Sequence, residues 1–328
     1  MTPFELRYRN GTKQPENIPT NEFIENILKR KTVRRFDSTK KLPPGLLEYL
    51  TAAAQASPTS SAGQSWSVIA LESAEEKEIF RLSAGSVLDG TDPGNLASFN
   101  ECSVFLIWIA DNYKIAEGID IIGNKEAPES IPMMPKSIPA TYTIYPMPDD
   151  DTKLFHADSH KEWLDQSYYS IRSIMDATIA AQTFSLCAES LGLGTVYMGS
   201  IAHCNTDSFK KTLNLPSRTY PIFGMAVGYP PPGGTDYHGY IKPESYMEHY
   251  RQHPELEIKP RHSLDLVLHR GHYKQTVRES LKKFNKIAIE YYASVGQKSD
   301  YFATKCVHRV KKVVDQMHKM RELYNKWR

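Results

Sequence analysis

The chain is short of the features that mark several common function classes. Its four cysteines, Cys102, Cys187, Cys204 and Cys306, are widely spaced, with no CxxC and no Cys/His ligand spacing. That speaks against a zinc ribbon or a disulfide framework and reads as reduced, buried thiols. No apolar run approaches the roughly 20 residues of a membrane span. The longest, residues 104–110, is strand-sized, and residues 1–21 are too polar for a cleavable signal. Forty basic and 38 acidic residues leave a net charge of only +2, so nothing calls for nucleic acid or an anionic membrane. There is no GxGxxG and no Gly-Lys-Ser/Thr phosphate loop, which removes support for a doubly wound dinucleotide fold. Internal repeats and long heptads are also missing. His203-Cys204 and the His269/His272 pair lack metal-like companions. The expectation is a cytoplasmic protein with no metal, nucleic-acid or membrane partner. Its 328 residues are enough to bury a substantial core.

Periodicity predicts the elements that are present. Residues 20–30 read as a helix capped by Thr20 or Asn21, with Phe23, Ile24, Ile27 and Leu28 as its apolar stripe. Pro43-Pro44 opens a second helix through Leu46, Leu50 and Ala54. Strands are expected at 66–71, 104–110, 195–198 and 221–227, with a short helix at 75–82. The 104–110 run is apolar on both faces, so it belongs at the centre of a sheet. Residues 167–193 form a long helix of small and apolar residues ending at Gly192, expected to be buried. Residues 113–165 change character, with six prolines between Pro128 and Pro148 followed by three aspartates. They read as an ordered insertion or lid, or as disorder. Residues 231–256 are a second, Pro/Gly/Tyr-rich insertion, and 273–293 and 298–326 are basic amphipathic helices.

The chemistry concentrates in two stretches. Lys29-Arg-Lys-Thr-Val-Arg-Arg-Phe36 surrounds Thr32 with cations, and Ser57-Pro-Thr-Ser-Ser-Ala-Gly-Gln64 gathers small hydroxyls at a proline turn. Forked guanidinium donors with hydroxyls and turn N–H groups suit a phosphorylated, polyhydroxylated ligand. The plainer reading is a solvated helix face and an ordinary turn. Gly199-Ser200, at the end of a short strand, is either a turn or a place where backbone N–H groups meet a flat ligand.

Taken together, these stretches resemble the FMN-dependent nitroreductase family, and in particular its NADPH-dependent nitroreductase and flavin oxidoreductase branch. Arg30-Lys-Thr-Val-Arg-Arg-Phe36, the Ser57–Gln64 turn, Gly192-Leu-Gly-Thr-Val-Tyr-Met-Gly-Ser200, and Ile258-Lys-Pro-Arg261 with His269-Arg-Gly-His-Tyr273 occur in the family's order. Ile289-Glu-Tyr-Tyr292 falls where that branch has its C-terminal helical excursion. The resemblance implies a single α+β domain over 1–328, a mixed, mostly antiparallel sheet wrapped by helices, with insertions at 113–165 and 231–256 and an excursion over 273–328. It implies a homodimer with two FMN sites and NADPH or NADH as co-substrate.

It also implies residue roles. Arg30, Lys259 and Arg261 would neutralise the FMN phosphate, and Thr32 would bond the ribityl-phosphate arm. Arg34 would sit by the N1–C2=O edge of the ring, where reduction builds negative charge. Thr59, Ser60 and Ser61 would reach the ribityl chain and ring from the partner subunit, and the N–H of Gly199 or Ser200 would face N5. Lys31, Gln64, Tyr197 and Met198 complete the implied set; no side chain is a general acid or base. The implied reaction is ping-pong, from NAD(P)H through the flavin to nitroaromatics, quinones or free flavin. Ala62 and Ser200 depart from the usual asparagine and glycine. No arginine pair for a 2′-phosphate stands between Gly296 and Tyr301, although the basic run Lys305, His308, Arg309, Lys311, Lys312 offers either that contact or a solvated face. A more selective flavoenzyme on the same scaffold and a non-catalytic FMN-binding protein are the alternatives.

Overall fold

The computed structural model describes residues 2–8, 13–88, 93–117, 167–204, 207–235, 248, 251–253, 258–273 and 278–294. The insertion beyond residue 117, most of 231–256 and the helix expected at 298–326 lie outside these described residues. The helices are α1 Pro3–Arg7, α2 Glu22–Lys29, α3 Leu46–Gln55, α4 Ala74–Ala84, α5 Pro93–Glu101, α6 Ser167–Ser190, α7 Asp207–Thr212 and α8 Arg278–Ser294. The strands are β1 Trp66–Leu71, β2 Val104–Asp111, β3 Gly194–Met198 and β4 Thr219–Gly228, in the order β1-β2-β4-β3. Two compact units emerge, one of residues 1–40, 188–196 and 228–328, the other of 41–187 and 197–227.

In the second unit, β2 pairs antiparallel with both β1 and β4, with Trp66 opposite Ala110 and Val104 opposite Val227. All eight β2 residues are buried, as expected of a strand apolar on both faces. Phe80 of α4 packs on Phe99, Phe105 and Phe209 at ring distances of 5.8, 5.7 and 5.3 Å. Trp108 lies 5.5 Å from Trp66 and 5.9 Å from Phe184 of α6. Packing this dense leaves no room for a side chain at Gly224, where a Cβ would stand 2.3 Å from Phe105 Cζ. Ser73 and Glu76 close a capping box that starts α4.

One expectation needs correcting. The low polarity of 167–193 suggested a fully buried helix, and α6 buries Ala177, Ala180, Ala181 and Phe184 completely. Yet Ile171, Ile174, Met175 and Ile179 are 40–56% exposed. A helix presents only one stripe to one neighbour, so apolar residues all round it mean two apolar faces. The stripe of α2 behaves similarly: Phe23, Ile24 and Ile27 are exposed in the single chain.

The first unit is built from chain ends and short returns. Pro3 at N1 and a Thr2/Glu5 capping box start α1, and the Asn21 side chain caps α2. Gly192, at φ +81°, ends α6 in the left-handed conformation, with the Leu193 N–H donating to Ala188 O at 3.1 Å. Residues 30–36 carry no regular secondary structure, and the Val33 N–H donates to Thr195 O at 3.0 Å, which ties the cationic segment to the start of β3. Among the described residues no helix is long and apolar enough to cross a membrane.

Candidate cofactor site

The cations implied at a phosphate converge within the first unit. Arg30 Nε stands 3.1 Å from Glu189 Oε1, and its Nη2 donates weakly to Thr195 Oγ1 at 3.4 Å. Thr195 in turn donates to Glu189. The Arg30 Nε atom is buried and makes no hydrogen bond, because its N–H is not aimed at the carboxylate it approaches. A buried donor left in that state is costly, and an anion's oxygen would satisfy it. The Arg261 N–H donates to Arg7 O at 3.1 Å, which brings the Lys259–Arg261 stretch to the N-terminal helix. Burial, then the charges of Arg261 and Arg30, push the Arg7 guanidinium down to about 10, still fully cationic at neutral pH. Like charges gathered at one place fit a dianion better than an ordinary surface. The donor set therefore fits a phosphomonoester such as that of FMN.

The other segments belong to the second unit. The hydroxyl turn ends in a 3-10 turn over Ser60–Ala62, and it is pinned from α6. The Ser60 N–H donates to Asp176 Oδ1 at 3.0 Å, Ser65 Oγ to Asp176 Oδ2 at 2.7 Å, and Ser57 Oγ to Thr183 Oγ1 at 2.7 Å. Thr59 Oγ1 accepts from the Gln64 N–H at 3.2 Å. Ala62 and Gln64 sit at φ +54° and +47°, a region that L side chains enter at a cost. Ala62→Gly should therefore raise stability by about 0.5–1 kcal/mol, the relief of strain less glycine's larger unfolded-state entropy. A higher urea midpoint at unchanged slope is the expected reading; a lower midpoint would show that the turn holds alanine without strain.

Gly199 begins the 3-10 segment Gly199–Cys204, and a Cβ there would meet nothing within 4 Å. Open space at the end of a strand suits a close approach to backbone N–H groups. The Tyr197 hydroxyl donates to Gln182 at 3.2 Å and its ring meets Phe223 edge-on, whereas the Met198 side chain is buried and leaves only backbone for a ligand. Thr32 and Arg34 are half-buried, and Lys31 and Gln64 exposed.

Sequence reasoning missed Arg7, Asp176 and Glu189. Glu189 had a signal, a carboxylate on the last turn before Gly192-Leu-Gly194. Arg7 and Asp176 had none, since their partners lie far along the chain.

Residues 27–229 match the model of the nitroreductase family, and the chain belongs to that family. Among curated relatives, the FMN reductase (NADPH) of Bacillus subtilis is 29% identical over 210 residues, 64% of this chain and 66% of that protein. An NADPH-dependent oxidoreductase of Staphylococcus saprophyticus is 33% identical over 123 residues, 37% of this chain and 41% of that one. The chain thus aligns with less than two thirds of the length of the Staphylococcus relative, and with about that share of the Bacillus one. The solved structure of NfrA1 nitroreductase from B. subtilis superposes with a TM-score of 0.66 at 22% identity, covering 93% of this chain and 98% of that one. An NADPH:FMN oxidoreductase from Vibrio harveyi complexed with NAD+ gives 0.56 at 19%, covering 87% and 96%. These likenesses establish the nitroreductase fold, in keeping with the α+β expectation.

Proposed function

We propose that the protein is an FMN-dependent NAD(P)H oxidoreductase, a single nitroreductase-like domain with two insertions that works as a homodimer. The observation that carries this is Arg30, whose buried Nε lacks a hydrogen bond beside the Arg7 and Lys259–Arg261 cations, in a chain of this family. Arg30, Lys259 and Arg261 hold the phosphate, and Thr32 bonds the arm that leads to it. Lys31 adds to the positive field from its exposed position. Arg34 is assigned the pyrimidine edge of the ring, where its charge offsets negative charge that develops on reduction. Thr59, Ser60, Ser61 and Gln64 present hydroxyl, amide and turn groups to a ribityl chain, in a dimer from the partner subunit. Gly199 and Ser200 offer backbone N–H groups, and Tyr197 and Met198 set the strand that carries them. Bound FMN supplies the hydride-accepting ring, so the protein's own part is to bind, orient and tune.

NADPH is the expected donor, because the relatives are named for it. Nitroaromatics, quinones and flavins, which stack flat on an aromatic surface, are the expected acceptors. The exposed apolar faces of α6 and α2 support self-association, since a monomer leaves them in water. The test is the visible spectrum of the purified protein, followed by anaerobic NADPH or NADH. A bound flavin band that bleaches within seconds is the expected result, and the two rates identify the donor. Flavin that binds and never bleaches would favour a non-catalytic binding role; a protein that cannot be loaded with FMN would sink the assignment.

A further inference from the structure

We infer that Arg7 is a positioning residue for the phosphate site, and that α1 is part of the cofactor machinery although it contributes no group to the ligand. This rests on the phosphate reading above. Arg7 is only 7% exposed, and its guanidinium is turned wholly onto main-chain carbonyls. Nε and Nη2 donate to Leu28 O at 3.0 and 2.6 Å, Nη2 also to Arg30 O at 2.5 Å, and Nη1 to Lys259 O at 3.2 Å. Its own carbonyl accepts from the Arg261 N–H at 3.1 Å. One rigid fork therefore joins two stretches 252 residues apart at its longest reach, and each stretch carries phosphate-binding cations.

The chemistry requires arginine. Its planar group spreads donors in fixed directions, so it can bridge three carbonyls of two segments at once, while an ammonium acts as a point charge. A buried charge persists only with such satisfaction, and Arg7 stays buried despite the nearby charges of Arg261 and Arg30. The arrangement holds like charges together before any ligand arrives, which lowers the cost of assembling them on a dianion.

The test compares FMN with riboflavin, which shares ring and ribityl chain but has no phosphate. The full-length wild type, Arg7→Gln and Arg7→Lys are each titrated with both flavins by fluorescence quenching, and their unfolding midpoints are recorded. Arg7→Gln is expected to weaken FMN binding about tenfold, as if one charged hydrogen bond from a displaced Arg30 or Arg261 were lost, and to leave riboflavin binding unchanged. Arg7→Lys should recover part of the loss. Parallel weakening of both flavins would overturn the proposal in favour of a general structural role, as would unchanged FMN affinity. If Arg7→Gln does not fold, Arg7→Lys against wild type decides by the same ratio. A wild type that binds riboflavin as tightly as FMN would instead remove the phosphate reading itself, and this inference with it.

Discussion

Replacing Gly194 with alanine is expected to cost about 1–3 kcal/mol of stability, the usual range for overpacking, and to weaken flavin binding as well. The added Cβ would stand 2.6 Å from Val33 Cβ and 2.7 Å from each of its methyls. Neither partner can step aside easily. Val33 is β-branched and buried, and its N–H is bonded to Thr195 O, one residue beyond the glycine. The segment bearing Arg30, Thr32 and Arg34 must therefore lift away from β3, moving the cations and straining the Arg30–Glu189 contact. Urea unfolding gives the stability term, and FMN titration of the same samples gives the binding term. Gly199→Ala is the matched control for the stability term alone, because its Cβ would meet no protein atom within 4 Å. Adding Val33→Ala should restore little, since the shortest contact is to Cβ itself. Full stability in Gly194→Ala would show that this segment is free to shift.

Asp176→Ala should lose about 3 kcal/mol, the two hydrogen bonds to a charged group counted at the lower end of their range. Asp176 is buried on α6 and receives the Ser60 N–H on one oxygen and the Ser65 hydroxyl on the other. Ser60 is exposed, so water can replace its lost partner. Ser65 is buried, so its hydroxyl is left orphaned. The consequence reaches beyond stability. Ala62 and Gln64 keep left-handed conformations, which persist only where the surroundings hold them. Without Asp176 the turn should relax, and amide exchange over 59–64 should quicken well before global unfolding. Asp176→Asn retains an acceptor and should show a smaller loss. A variant with native exchange in that turn and a loss below about 1 kcal/mol would mean that the Ser57–Thr183 and Gln64–Thr59 bonds hold it without Asp176.

Much of this protein was legible from its residues because the information is local. Apolar runs marked β1, β2, β3 and β4 to within two residues, and the fully buried β2 followed from the absence of any polar alternation. Asn21 and Gly192 marked helix ends through their own backbone preferences, whereas Pro43-Pro44 lies just ahead of α3, which starts at Leu46 after Gly45. The motif order identified the family, and the cationic segment, the hydroxyl turn and the strand ending at Gly199 were all singled out. The periodic pattern of α6 was legible too, but not what its second apolar face meets. Periodicity counts apolar residues without saying how many neighbours they have.

The sequence by itself therefore determined the four strands and the helices α2, α3, α4, α6 and α8, but not the short α1, α5 and α7. It also determined which family the chain belongs to and which cations and hydroxyls to suspect. Tertiary structure alone decided what holds those groups in place: Arg7 on the carbonyls of Leu28, Arg30 and Lys259, Glu189 against Arg30, and Asp176 beneath the serine turn. These contacts span 21 to 252 residues for Arg7, 159 from Arg30 to Glu189 by their numbers, and 116 for Asp176. Hydrogen-bonding side chains carry no periodicity, so their partners become visible only when folding brings distant stretches of chain together.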